Sequence, residues 1–351
     1  SEGYEDHSSR IDTLYQEALE VGGCGVEEAV LTRFSSPSVS VHASSHEETP
    51  PEPKLDPRLA RRLQSGESLS LIDFDPEEIA RQLSLIEADI YVRIRPSELV
   101  GEAWMKPKLQ RHAPNVLAAI GRLNVVASIV IRHVVSPPLL ADRERALLFF
   151  IRLAHHLMTM GNFNTMFAVL AGLNDSSVHR LKGTWAGLRN AEEDKRGVVQ
   201  ETAVKLDKLT EIFTSTNHVT YRSLLAKRRP PVIPYLGVFL SDLVFTAQGN
   251  ADFIDLPDQP TPLINFTKLL RQYAIVQEIM RYQHCDFHFV RVPTLVHLLQ
   301  VSAGCSGKSS DFDKFKEEMY KVSLKREERG EFEDGEDVSG IRLANTLETM
   351  F

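Results

Sequence analysis

Cysteine is scarce in this sequence. Three residues in 351, Cys24, Cys285 and Cys305, are too few and too scattered for a disulfide framework, so a reducing compartment is the expected setting. Alternating β patterns and Asn-Gly hairpin turns are missing, which argues against a sandwich or barrel, and no repeat of fixed period points to a solenoid. No run approaches the roughly 20 apolar residues that would span a bilayer, so direct membrane insertion is not expected. Ser1-Glu2-Gly3 opens with neither a basic nor an apolar region, does not read as a signal peptide, and lacks an initiator methionine, as a fragment would. There is no excess of positive charge either. Lys and Arg total 40 against 48 Asp and Glu, a net charge of -8, which argues against a nucleic-acid partner. Catalytic signatures are equally absent: no GxSxG, HExxH or GxGxxG occurs, so no metal and no cofactor is expected.

Two short segments imitate known sites. Gly304-Cys-Ser-Gly307-Lys308-Ser309 looks like the end of a phosphate-binding loop. That loop needs glycine five positions before Gly307, where Ser302 stands, and a preceding strand, whereas Pro293–Val301 reads as a helix. It reads instead as a flexible loop between helices. His284, Cys285 and His288 have ligand-like spacing, but no second pair completes a zinc site.

What the sequence does contain is helical text. Apolar and charged residues make up 42% and 25% of the chain, as in ordinary globular proteins. Residues 9–33 carry Ile11, Leu14, Tyr15 and Leu19 at helical spacing. Residues 35–56, rich in Ser, Pro and Glu, have linker composition, and 330–351 read as an acidic tail. Between lies an all-α domain of about 260 residues, from about Ser68 to Arg329, with residues 1–67 as a partial helix and linker before it. Asp75-Pro76-Glu77-Glu78 signals a helix start, with Asp75 as cap and Glu78 at the capping-box position. Ile79, Leu83, Ile86 and Ile90 then form one apolar stripe. Further helices are expected over roughly 113–135, 141–160, 162–173, 197–214, 218–227, 234–246, 263–283, 293–301 and 311–324. The segment from Val232 to Phe245 is apolar nearly all round, so it is either buried or presents an apolar side to a partner. With the helix that follows from Leu263 it can pack as an antiparallel hairpin.

The wording of four blocks is specific. They run from Glu78 to Glu87 and on through Arg95-Pro-Ser-Glu-Leu-Val-Gly-Glu-Ala-Trp104; from Gly161-Asn-Phe-Asn through Asn174-Asp-Ser-Ser177 to Arg180-Leu181; from Pro230-Pro-Val-Ile-Pro-Tyr to Gly249-Asn250; and from Leu263-Ile-Asn-Phe266 to Tyr282-Gln283. In this order and spacing the chain resembles the catalytic domain of Ras guanine-nucleotide exchange factors, the domain of the son-of-sevenless protein. The resemblance implies an all-helical bowl with a protruding hairpin, here about 230–283, that displaces a switch of a small GTPase from its nucleotide. It implies a Ras-family GTPase as partner, of the Ras, Rap or Ral subfamily. It also implies a cytoplasmic setting with peripheral recruitment to membranes.

By the same resemblance Val244 takes the place of an apolar residue that intrudes on the GTPase's magnesium site. Gln248 stands where the family usually has glutamate, keeping a hydrogen bond but losing the charge. Tyr235 matches an aromatic at the hairpin base and Arg271 a basic residue of its second helix. Asn174, Ser177 and His179, with Phe239 and Leu240 on the hairpin, are the implied GTPase contacts. Leu269-Leu270 replaces a frequent basic pair and is expected to pack tightly. The alternatives are a module that binds a GTPase without releasing its nucleotide, and a helical scaffold.

Overall fold

The computed structural model describes residues 49–67, 69–187, 198–255 and 261–328. The helical stretch expected within 9–33 and the tail at 330–351 lie outside them. The fold is all-α. Its helices are α1 (Pro57–Gln64), α2 (Pro76–Tyr91), α3 (Pro96–Leu99), α4 (Pro114–Val135), α5 (Leu140–Met160), α6 (Phe163–Asn174), α7 (Ser176–His179) and α8 (Lys182–Ala186). The series continues with α9 (Val198–Thr214), α10 (Val219–Ala226), α11 (Leu236–Gln248), α12 (Phe266–Arg281), α13 (Pro293–Val301) and α14 (Ser309–Arg326). Two strands, β1 (Phe253–Ile254) and β2 (Leu263–Ile264), pair antiparallel between α11 and α12.

Several helix starts follow from local chemistry. Proline opens α2, α4 and α13, where its missing N–H would have had no helical partner. Asp75 caps α2 by accepting from the Glu77 N–H at 2.8 Å. The expected capping box does not form. Glu78 is buried and turned away, accepting from the Lys54 N–H and from Gln82 Nε2. Its partner at Lys54 shows why the linker reading fails for residues 50–56. That segment is docked along the first turns of α2, with Arg81 donating to the Glu52 carbonyl at 3.2 Å. Residues 57–64, also expected as linker, form α1.

The core centres on α4, which packs against α2, α5, α6 and α14. By length and a mean hydropathy of 1.6 this 22-residue helix could cross a membrane. Arg122, Asn124 and Arg132 interrupt its apolar residues, so it holds no unbroken apolar run of spanning length. Its apolarity has a nearer cause, since helices surround it and Val126–Ile131 is buried without a break. At Gly172 of α6 an added Cβ would sit 2.7 Å from Val130 Cβ, so glycine lets the two helices close. The loop after α13 is not a flexible connector. Gly304 N–H donates to Ser128 Oγ, Asn124 Nδ2 to the Gly307 carbonyl and Arg132 to the Ala303 carbonyl, all within 3.0 Å, which ties it to α4.

Candidate functional site

The hairpin of α11 and α12 has a buried root and an exposed tip. On α11 the buried residues are Leu236–Leu240 and Leu243; on α12 the buried apolar residues are Val276 and Ile279. From Phe245 onward exposure prevails. Phe245 is 70% exposed, and Phe253, Ile254, Leu263, Ile264 and Phe266 are exposed with it. The all-round apolarity of the first leg therefore has two causes: its first half is core and its second half is surface.

The root is attached to the body through backbone groups. Gly161 ends α5 with φ of +85°, where an added Cβ would lie 3.0 Å from the Pro231 carbonyl. This close approach lets the Ile233 N–H donate to the Gly161 carbonyl and the Phe163 N–H to the Ile233 carbonyl, both at 2.9 Å. Tyr235 N–H donates to Tyr221 Oη at 2.7 Å, and Leu236 N–H to Asn164 Oδ1 at 3.1 Å. These side chains satisfy donors that a helix start leaves open. Arg222 on α10 also pairs with Asp242 on α11 at 2.9 Å.

The tip is fastened by Lys268, a residue the sequence reading passed over. Its ammonium donates to the Ala247 carbonyl at 2.6 Å, the Asn250 carbonyl at 2.7 Å and Asp252 Oδ1 at 2.7 Å, and it is 6% exposed. A cation from the start of the second leg thus closes the carbonyl end of the first. Asn265 caps α12 through the Lys268 N–H, so the second leg begins at Phe266 and Leu263-Ile264 forms strand, not helix. A lysine inside helical text looks like solvated surface. The usable signal was its place three residues after a capping asparagine, facing the end of the previous helix.

Against this frame the expected site residues divide into two groups. Val244 is half-buried, Gln248 and Arg271 are exposed, and Asn174 and His179 are half-buried. Val244 and Gln248 are one turn apart on one face, and Gln248 closes α11. Arg271 Nη1 donates to Asn250 Oδ1 at 3.3 Å, so it braces the same end. Tyr235, at the hairpin base, and Phe239, Leu240 and Ser177, expected as GTPase contacts, are buried in this chain. Tyr235 stacks on Phe167 at 4.2 Å and 6°, inside a cluster with Phe213 and Tyr221. Burial raises its phenol pKa. Ser177 N–H and Oγ both donate to Asp175, closing the turn into α7. Leu270, expected to pack tightly, is 38% exposed, while Leu269 is half-buried.

The exposed and half-buried site residues lie away from the hairpin root, toward the ends of their helices. Asn174 ends α6, ten residues and about 15 Å beyond Asn164 at the hairpin root. Gln248 lies twelve residues, about 18 Å, along α11 from Leu236. A cleft lined by Pro53, Lys54, Leu55, Asp56, Leu59, Asp73, Phe74 and Asp75 contains none of them. Among the described residues no group of three His, Cys, Asp or Glu could hold a metal. Burial also pushes the Cys285 thiol up to about 11, away from the thiolate a metal would need. An exposed apolar hairpin tip outside any cleft suits a protein partner better than a small ligand.

Comparison with known proteins identifies the family. The RasGEF domain model matches residues 78–270, more than half the chain. Ras guanine nucleotide exchange factor A of Dictyostelium discoideum is 35% identical over 300 residues, covering 85% of this chain and 47% of that protein. Factors J and I of the same organism are each 36% identical, over 71% of this chain and 29% and 28% of theirs. The chain therefore spans less than half the length of these curated relatives. From the matched domain and these identities, the chain belongs to the RasGEF domain family.

Proposed function

We propose that this chain is a guanine-nucleotide exchange factor for a Ras-family small GTPase, acting through the α11–α12 hairpin. The observation that carries the reading is the division of α11. Its first half is anchored in the core, while Val244, Phe245 and Gln248 stand on the part that projects. A lever needs both a fixed root and a free working end.

No covalent step is involved. A partner that binds the nucleotide-free GTPase better than the loaded one shifts that equilibrium toward release, by as much as the difference in affinity. Val244 offers no oxygen ligand to a magnesium ion and excludes water that would, so its approach weakens ion binding. Gln248 presents an amide near the site of departing phosphate, as donor and acceptor without charge repulsion. Asn174, at the end of α6, and His179, at the end of α7, then serve the contact with the GTPase surface.

Release of a fluorescent GDP analogue from a panel of Ras, Rap and Ral proteins tests this. Acceleration with at least one member is the expected result; none across the panel overturns it. Gln248 also favours a second reading, a module that binds without ejecting nucleotide, because half of the wedge lacks its charge. Binding retained with no acceleration would select that reading.

A further inference from the structure

Both roots of the hairpin are held by one helix, α2, through side chains a single turn apart. On the first root the Leu236 N–H donates to Asn164 Oδ1, and Asn164 Nδ2 donates to Glu87 Oε1 at 2.6 Å. Thr165 Oγ1 donates to the other carboxylate oxygen at 3.4 Å. On the second root Tyr91 Oη donates to the Ile279 carbonyl at 3.0 Å. Glu87, Asn164, Tyr91 and Ile279 are all buried. Leu236 opens α11 and Ile279 lies in the last turn of α12, so α2 grips the start of one leg and the end of the other.

This much buried polarity has a cost that stability alone does not explain. Burial pushes the Glu87 carboxyl up, and the Arg122 guanidinium of α4 opposes that shift. Arg122 Nε and Nη2 are themselves buried and find no hydrogen-bond partner among the described residues. Apolar residues at these places would fill the space with less desolvation. They would not fix direction, because apolar contacts tolerate small rotations that a bond to a backbone group at a helix end resists.

We propose that Tyr91, and Glu87 through Asn164, are positioning residues that set how the hairpin leaves the body, and through that the rate of nucleotide release. The second half rests on the exchange-factor reading; the first does not. Hydrogen–deuterium exchange and GDP release measured on the same preparations of the full chain, Tyr91→Phe and Asn164→Ala separate the two.

Amides of 236–248 and 266–281 are expected to exchange about fivefold faster in each variant, the scale of one net hydrogen bond, with α5 unchanged. The maximal release rate is expected to fall about fivefold, while the half-saturating GTPase concentration moves less than about twofold. Unchanged hairpin amides, or equal loosening of α5, overturn the anchoring. A loosened hairpin with undiminished release overturns the link to rate. If the unmodified chain releases no nucleotide from any GTPase, the exchange reading fails and the amides still decide the anchoring. Should Asn164→Ala fail to fold, Tyr91→Phe, which keeps the ring in place, carries the test.

Discussion

Lys268 offers the sharpest check on how the hairpin tip is built. Lys268→Met keeps the length and apolar stem of the side chain and removes the ammonium. Two bonds to backbone carbonyls are lost, each worth about 1.5 kcal/mol as a charge-assisted contact. The pair with Asp252 adds only about 0.5 kcal/mol, because that carboxylate is largely exposed. Methionine avoids the desolvation that lysine bears at this buried place, which offsets part of the loss. The net is about 2–3 kcal/mol, enough to raise local opening of the tip by roughly 100-fold. The effect should stay local, because the tip buries little apolar surface and the core cluster lies at the root. Amide exchange across 244–255 and 263–270 should therefore accelerate strongly while the global melting temperature moves by a few degrees at most. Unchanged protection at those amides would mean the three bonds hold nothing. A collapse of the melting temperature would mean the tip and core unfold together.

The remaining predictions use simpler readouts. Gln248→Glu restores a charge at an exposed helix end and should speed GDP release about fivefold, roughly 1 kcal/mol; unchanged or slower release would remove charge from the account of the wedge. Tyr235→Ala deletes a buried ring stacked on Phe167 and should cost about 3–5 kcal/mol in denaturant unfolding, so a near-normal midpoint would return Tyr235 to the surface. Asn174→Ala, at a half-buried helix end, should weaken GTPase binding with unfolding unchanged. Half-buried His133 donates to the Ile129 carbonyl, and desolvation lowers its pKa in the folded chain. Below the ordinary value of about 6.5 the unfolded chain holds this proton more readily, so stability should be full above that pH and fall as pH drops below it. Melting at pH 7.5 and 5.5 checks the sign, and equal or higher stability at 5.5 would refute it.

Much of the fold was legible because local chemistry and packing agree. Pro76, Pro114 and Pro293 mark helix starts that the structure keeps, and Gly161 ends α5 in the left-handed conformation glycine permits. What could not be read depends on long-range pairing. Glu78 looked like half of a capping box, but its carboxylate is taken by Lys54, Arg81 and Gln82. Pro57–Gln64 looked like linker because its neighbours are polar, yet it folds as α1. Tyr235 reads as an aromatic at the hairpin base, and nothing in the text says that Phe167 lies flat against it. One buried network did leave a trace. Glu87 stands four residues after Leu83 and four before Tyr91, on the face that α2 buries. A charge placed there is unusual enough to predict a buried partner.

These placements separate stability from action along the length of one helix. Leu236 to Leu243 of α11 is held by the core, by Tyr221 and Asn164, and by Arg222 through Asp242. Val244 to Gln248 has far less to hold it apart from Lys268 at its end. A change in the first half alters the lever's footing, so it must move both unfolding and any activity of the hairpin. A change at Phe245 or Gln248, both exposed, should have little effect on unfolding, whereas half-buried Val244 still packs against the core. Gln248 is the clearest such position. Its carbonyl and amide face solvent at the end of a helix whose closure depends on Lys268, so the fold sets no demand on its charge. A change of charge at Gln248 is therefore expected to leave unfolding unchanged, as at other exposed positions free of buried contacts.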